Sequence, residues 1–210
     1  MTRKTTTKNN MTKLKDPPAV VLTLKSEKGN CILFWGHTKG EGTVGKECLS
    51  QWFPCKFKEP IKDNKGNTVQ EINYFCAEQY MMAHKALLFQ DNETFTKICN
   101  AKTAKECKEL GRQVKNFDQK VWDEFKEEIV AVGNYHKFSQ NPELAEYLKS
   151  TEGKVIVEAS PYDKIWGIGF DKEHAFENRG KWGQNLLGKA LMVVRENLLH
   201  PNIGDVIVVY

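Results

Sequence analysis

No stretch of this sequence approaches the roughly 20 consecutive apolar residues that a membrane-spanning helix needs, so no membrane partner is expected. The first ten residues, Met1-Thr-Arg-Lys-Thr-Thr-Thr-Lys-Asn-Asn, have no apolar segment of the kind a secretory signal requires, which points to a cytoplasmic or nuclear setting. Six cysteines (Cys31, Cys48, Cys55, Cys76, Cys99, Cys107) are scattered through the chain without a Cys-x-x-Cys pair, and free thiols are expected. The five histidines (His37, His84, His136, His174, His200) share no ligand spacing with them, so neither a structural zinc nor any other metal or cofactor is expected. A phosphate loop and a Gly-x-Ser-x-Gly nucleophile elbow are both absent. The charge excess is small, 31 Lys and Arg against 27 Asp and Glu. Much of it lies in Arg3, Lys4, Lys8, Lys13 and Lys15, so charge alone argues little for nucleic acid.

The sequence does have the composition of an ordinary globule, 40% hydrophobic and 28% charged, with length enough for one substantial core. Residues 1–18 read as a disordered basic tail and 19–210 as one folded domain. Residues 19–24 form a strand, with 31–35 as a hairpin partner across the Gly29-Asn30 turn, and a second hairpin surrounds Asp63 to Asn67. Period then changes: helices are expected over about 76–90, 94–101, 104–110, 119–140, from Pro142, and over 184–199, with a terminal strand at 204–210. In the 119–140 helix the apolar stripe is Trp122, Phe125, Ile129, Val132 and Tyr135 or His136. The fold class is therefore α+β, a helix-rich single domain with a small sheet.

Two segments carry chemistry. In the first, Lys154-Val-Ile-Val-Glu158 reads as a buried strand that Ala159-Ser160-Pro161 breaks, delivering Tyr162 to Trp166 as a loop. Gly167 and Gly169 let backbone approach a ligand or turn with positive φ. Two readings stand: a wall for a flat ring and a sugar, or a capping loop in which Asp163 binds nearby amides and Trp166 fills a corner of the core. In the second, Glu78 and Lys85 are seven residues apart on one helix and return to nearly the same direction, with Met81 and Met82 between them. Apolar surroundings disfavour the ammonium and leave an amine able to attack carbon, although an ordinary helical lysine is simply solvated. A formal Gly-x-Gly-x-x-Gly at 40–45 lacks strand and helix context and reads as a loop.

Four ordered blocks, 49–57, 77–85, 158–169 and 183–195, together resemble the NADAR or YbiA-like family of N-glycosidases over roughly residues 30–200. The sequence departs from the usual family pattern at Gln51 and Gln79. The resemblance implies cleavage of the N-glycosidic bond between a ribose and a base. The leading expectation is an ADP-ribosyl glycohydrolase that frees guanine in DNA or RNA through a Schiff base on Lys85, with Glu78 handling protons or holding ribose hydroxyls. It also implies that Asp163 and Trp166 line the pocket with Gly167 and Gly169, that Trp52 or Phe53 and Trp122 supply walls, and that Arg112 and Asn185 meet phosphate or other anionic oxygen. Glu158 is then a supporting carboxylate. Alternatives are an N-glycosidase of ribosylamino-pyrimidine intermediates of the riboflavin pathway, acting on a free ribosyl nucleotide, and a non-catalytic module for ADP-ribose or NAD. An ADP-ribosyltransferase is the functional partner that the first reading implies.

Overall fold

The computed structural model describes residues 20–38, 42–201 and 206–209; the basic tail and residues 39–41 of the glycine loop lie outside them. Strand β1 (Val20–Thr23) is followed by β2 (Cys31–Phe34), the hairpin strands β3 (Phe57–Lys62) and β4 (Thr68–Tyr74), and helices α1 (Ala77–Leu88), α2 (Asn92–Asn100) and α3 (Ala104–Gly111). Next come α4 (Gln119–Ser139), α5 (Pro142–Lys149), β5 (Val155–Glu158), α6 (Leu186–Leu199) and β6 (Val206–Val209). The helix-rich α+β class holds, with Pro142 in the first turn of α5 and side chains of Asp91, Thr103 and Asp118 capping α2, α3 and α4.

The sheet differs from expectation. Among the described residues it is three two-stranded ladders, and β1 does not pair with β2: β1 runs parallel to β6, and β2 runs parallel to β5 with Phe34 opposite Glu158. Residues 28–30 form a short 3-10 turn instead of a hairpin loop. The physical reason is visible in the strand compositions, since Cys-Ile-Leu-Phe and Val-Ile-Val are continuous apolar runs, the pattern of a parallel ladder covered on both faces. Val155, Ile156 and Val157 are indeed fully buried. The expected hairpin around Asp63 is present as β3–β4.

Helix α1 lies at the centre, packed by α2, α3 and α4. Close approach on two sides depends on missing side chains: a Cβ on Gly111 would meet Met82 Sδ at 2.0 Å, and one on Gly133 would meet the Tyr80 ring at 2.4 Å. All of residues 77–83 are consequently buried, the polar Glu78 and Gln79 included. On α4 the expected stripe is only half right. Trp122 and Ile129 are buried, but Val132 and Tyr135 are exposed, and the inward face includes Lys126, Asn134 and Lys137. Polar side chains can occupy that face because they find partners: Asn134 Nδ2 donates to Gln51 Oε1 at 2.8 Å and Lys137 Nζ to the Ser50 carbonyl at 2.8 Å.

Candidate active site

The site is built along one side of α1 and has two ends. At the C-terminal end, Lys85 Nζ donates to the Gly111 carbonyl at 2.9 Å and lies 4.3 Å from the Phe117 ring centroid and 5.5 Å from that of Trp122. A cavity of about 350 Å³, within the range of small-ligand sites, is lined by Lys85, Arg112, Phe117, Gln119, Trp122, Lys126, Ile165 and Trp166. Among the described residues no carboxylate comes within 4.0 Å of Lys85, whereas Lys126 beside it is paired with Asp123. Burial therefore holds the Lys85 amine below its ordinary value, opposed by the rings and by the C-terminal carbonyl of α3. The methionines contribute less than expected: Met82 packs on Gly111 and Met81 Sδ accepts from Gln51, while Phe117 from the α3–α4 connection and Trp122 from the first turn of α4 lie against the amine.

Seven residues toward the N-terminus, about 10 Å along the helix axis, Glu78 opens the second end. Its backbone N–H is tied to the Gln51 carbonyl at 2.9 Å and the residue is 6% exposed. Burial raises it to about 7; the charge of Asp163 adds to this, and Lys108, the Trp52 side chain and Arg112 oppose it. At the end of β5, Glu158 is raised further, to about 8, by burial and then by Asp163 and Glu78, against Lys108. Three carboxyl groups thus face two cations and an indole. Trp52 is itself covered by the Lys108 ammonium, 5.7 Å from its ring centroid, and by the His37 ring at 5.6 Å.

In the 158–170 segment the structure shows the Asp163 part of the capping reading. Asp163 Oδ1 accepts from the backbone of Ile165 and Trp166, each at 2.8 Å, which is the capping role. Its charge nevertheless bears on Glu78 and Glu158, and Trp166 lines the cavity. Gly169 has φ +76°, and Gly167 packs where a Cβ would stand 2.7 Å from the Glu158 carbonyl, so the latter serves the loop's own packing.

Arg112 joins the two ends, lining the Lys85 cavity while acting on Glu78. Two expected residues lie elsewhere. Phe53 is 6% exposed and turned into the core beneath Lys137, so of the two only Trp52 bears on Glu78. Asn185 is 1% exposed, has left-handed backbone (φ 51°), and bridges β5 to α6, accepting from Glu158 N and donating to the Ile156 carbonyl, both at 2.9 Å; its amide positions Glu158. The two departures from the family pattern also sit in the frame, Gln51 against Asn134 and Gln79 against the Phe75 N–H and Ile98 carbonyl. Sequence reasoning missed Lys108, Phe117, Gln119, Lys126 and Ile165. None has a local signal, because each reaches the site only through the way α3, α4 and the 160s loop close on α1. A separate hollow of about 610 Å³ beside β2 sets Lys28, Lys46 and Lys172 against Glu173 and Glu177 and holds none of the candidate residues.

Residues 33–199 match the NADAR domain family. The chain is 48% identical over 172 residues to N-glycosidase R617 of Acanthamoeba polyphaga mimivirus, covering 81% of this chain and 97% of that protein. It is 35% identical over 129 residues to the chloroplastic riboflavin biosynthesis protein PYRR of Zea mays, 58% of this chain but 19% of that protein. The NMR structure of the Escherichia coli protein YbiA has the same fold, with a TM-score of 0.59 over 82% of this chain and 86% of that one at 22% identity.

Proposed function

The chain belongs to the NADAR domain family, and on that premise we propose that it frees guanine bases of nucleic acid from ADP-ribose through an imine on Lys85. In class it is a hydrolase of N-glycosyl bonds, as relatives named N-glycosidase are. The observation that carries the finer reading is the state of Lys85: a half-buried amine, held below its ordinary pKa, without a carboxylate partner among the described residues and facing a cavity of nucleoside size.

The steps follow from the two ends of α1. Glu78, poised near neutrality, gives a proton to the base nitrogen as the C1′–N bond breaks and its electron pair leaves with the base. The free amine of Lys85 bonds to C1′, and the ribose ring opens at C1′–O4′ as one proton of the new Nζ ammonium passes to O4′, leaving an iminium C1′=NζH⁺. Water then adds to C1′ and loses a proton to Glu78. Cleavage of C1′–Nζ restores the lysine and releases the sugar. In this reading Arg112, which lines the cavity, meets phosphate oxygen, and Trp52, Trp122 and Trp166 take the base and sugar faces.

Two exposed rings, one after β2 and one in the 160s loop, favour a polymeric substrate over a free nucleotide. Tyr162 is 87% exposed and Trp35 58%, their centroids 6.0 Å apart, at the end of the β2–β5 ladder that also delivers Glu158. Stacking platforms of this kind suit the neighbouring bases of a single strand. The test is an oligonucleotide bearing ADP-ribosylated guanine: borohydride added during turnover is expected to fix a reduced sugar on Lys85, and normal turnover by Lys85→Ala would end the imine mechanism. The maize relative's name favours a second reading, hydrolysis of a ribosylamino-pyrimidine of the riboflavin pathway. Parallel turnover of the two substrates decides between them.

A further inference from the structure

Three cations, Lys85, Arg112 and Lys126, line the Lys85 cavity, and among the described residues no carboxylate lines it. Lys126 is the one that the proposed steps leave unused. It stands on α4 in a stripe with Gln119 and Trp122, at spacings of three and four residues, so all three side chains meet the cavity from one face of the helix. It is only 8% exposed, an unusual place for an ammonium. Its partner among the described residues is Asp123, whose Oδ1 lies 2.5 Å from Nζ and also accepts from Gln119 Nε2 at 3.0 Å. One carboxylate oxygen thus draws together two donors from successive turns of α4. Asp123 itself does not line the cavity, and its side chain is 47% exposed, so water screens the effect of its charge inside. An ammonium has three donors, and Asp123 takes one of them. At the C-terminal cap of α3, the Arg112 guanidinium has no hydrogen bond or ion pair among the described residues. Like charges gathered around one space repel unless an anion joins them, and amines and guanidinium groups with donors to spare are the groups that recognise phosphate.

We infer that Lys126 and Gln119, held by Asp123, form a phosphate subsite, and that Lys126 and Arg112 together bind the diphosphate of an ADP-ribosyl group. The inference rests on the proposed function and narrows its substrate. A ribose with C1′ at Lys85 Nζ carries its phosphates on C5′, across the same ring, so cations that share the cavity with Lys85 are within their span. Two cations besides the nucleophile match two phosphate groups, whereas a ribosyl monophosphate engages one. The subsite therefore selects an ADP-ribosyl substrate over a ribosyl monophosphate of similar sugar geometry. Gln119 adds a neutral donor, which contributes a hydrogen bond without further like-charge repulsion. Asp123 acts through Lys126 and Gln119 and is a positioning residue, not one that touches the ligand.

The experiment titrates free ADP-ribose and ribose 5-phosphate into wild type, Lys126→Met and Lys126→Arg by calorimetry. Lys126→Met is expected to weaken ADP-ribose binding by about 10- to 100-fold, the loss of a charge-assisted hydrogen bond, and to leave ribose 5-phosphate within about 3-fold. Lys126→Arg, which keeps the charge and its donors, is expected to stay within about 5-fold of wild type on ADP-ribose. Unchanged ADP-ribose binding by Lys126→Met overturns the subsite, and an equal loss on both ligands overturns the diphosphate assignment. Should Lys126→Met fail to fold, competition in the wild type decides: inorganic pyrophosphate displacing ADP-ribose about 10-fold better than orthophosphate supports the inference, and equal displacement overturns it. Turnover of the ADP-ribosylated oligonucleotide separates the inference from the reading it rests on. A wild type that releases no guanine but binds ADP-ribose through Lys126 leaves the subsite standing and overturns the proposed function. Normal release by Lys126→Met at wild-type KM overturns the subsite alone.

Discussion

Two lysines in this protein look alike in everything but access. Lys85 on α1 and Lys137 on α4 each donate to one backbone carbonyl, Gly111 at 2.9 Å and Ser50 at 2.8 Å. Each lies over two aromatic rings, Phe117 and Trp122 for the first, Phe53 and Phe138 for the second. Burial depresses both, and neither has a carboxylate within 4.0 Å among the described residues. Lys137, however, has no exposed surface and sits among the thiols of Cys48, Cys55 and Cys76, whereas Lys85 opens onto the cavity beside Arg112 and Trp166. Desolvation prepares an amine for attack on carbon, but only a cavity lets carbon reach it. The same physics makes one lysine a candidate nucleophile and the other a strut between α4 and the 49–53 turn.

The largest effect that would test this contrast is on chemistry. Lys85→Ala is expected to lower base release by three or more orders of magnitude, on the order of 4 kcal/mol of barrier, with a melting temperature close to wild type. Rates and a thermal melt together check it, and a destabilised variant would mean that Lys85 is also a strut. Lys137→Ala should do the reverse. Loss of its packed stem and of the Ser50 partner is expected to cost about 2–4 kcal/mol of stability, seen as a lower denaturant midpoint, while kcat at a temperature where it is folded changes little. Reductive methylation of the native enzyme should likewise modify Lys85 readily and Lys137 only as the protein unfolds.

A smaller effect concerns pH. Glu78 and Glu158 bind protons more tightly folded than unfolded, so their contribution is fully present below the ordinary 4.5 and declines as pH rises through about 7 and about 8 respectively. Lys137 works in the opposite direction: its folded value is depressed, so its penalty lessens as pH rises toward the ordinary 10.5. Thermal melts are expected to show stability falling between 4.5 and 8, with the fall reduced in Glu158→Gln; a flat wild-type curve would contradict the buried carboxyl pair. The smallest expected effect is at the exposed Tyr162 ring. Tyr162→Ala should weaken turnover of an oligonucleotide by about 1–3 kcal/mol, roughly 5- to 150-fold, and leave a free nucleotide unaffected. Equal loss on both would remove the stacking platform.

Much of the architecture could be read locally. Caps at Asp91, Thr103 and Asp118, proline at the start of α5 and the turn at Asp63 mark elements by chemistry confined to a few neighbouring residues. Strand pairing could not be read with equal success, because proximity along the chain suggested a β1–β2 hairpin where the real partners are more than a hundred residues away. The inward face of α4 was misjudged for a related reason. Hydrophobicity selected Val132 and Tyr135, but burial followed the helices packed against α4 and the partners they offered to Asn134 and Lys137.

What the sequence by itself determined was the helix carrying Glu78 and Lys85 two turns apart on one side, and the strand-then-loop carrying Glu158, Asp163 and Trp166; helical pitch and the proline break suffice for both. Only the tertiary structure decided that Lys85 opens onto a cavity while Lys137, also over two rings, is sealed in the core, that Phe53 turns inward and Asn185 clamps β5, and that Glu158 Oε2 has no hydrogen-bond partner among the described residues. The reason is physical: protonation state and reactivity depend on desolvation and on charges brought close through space, and distant segments of the chain supply those charges and walls.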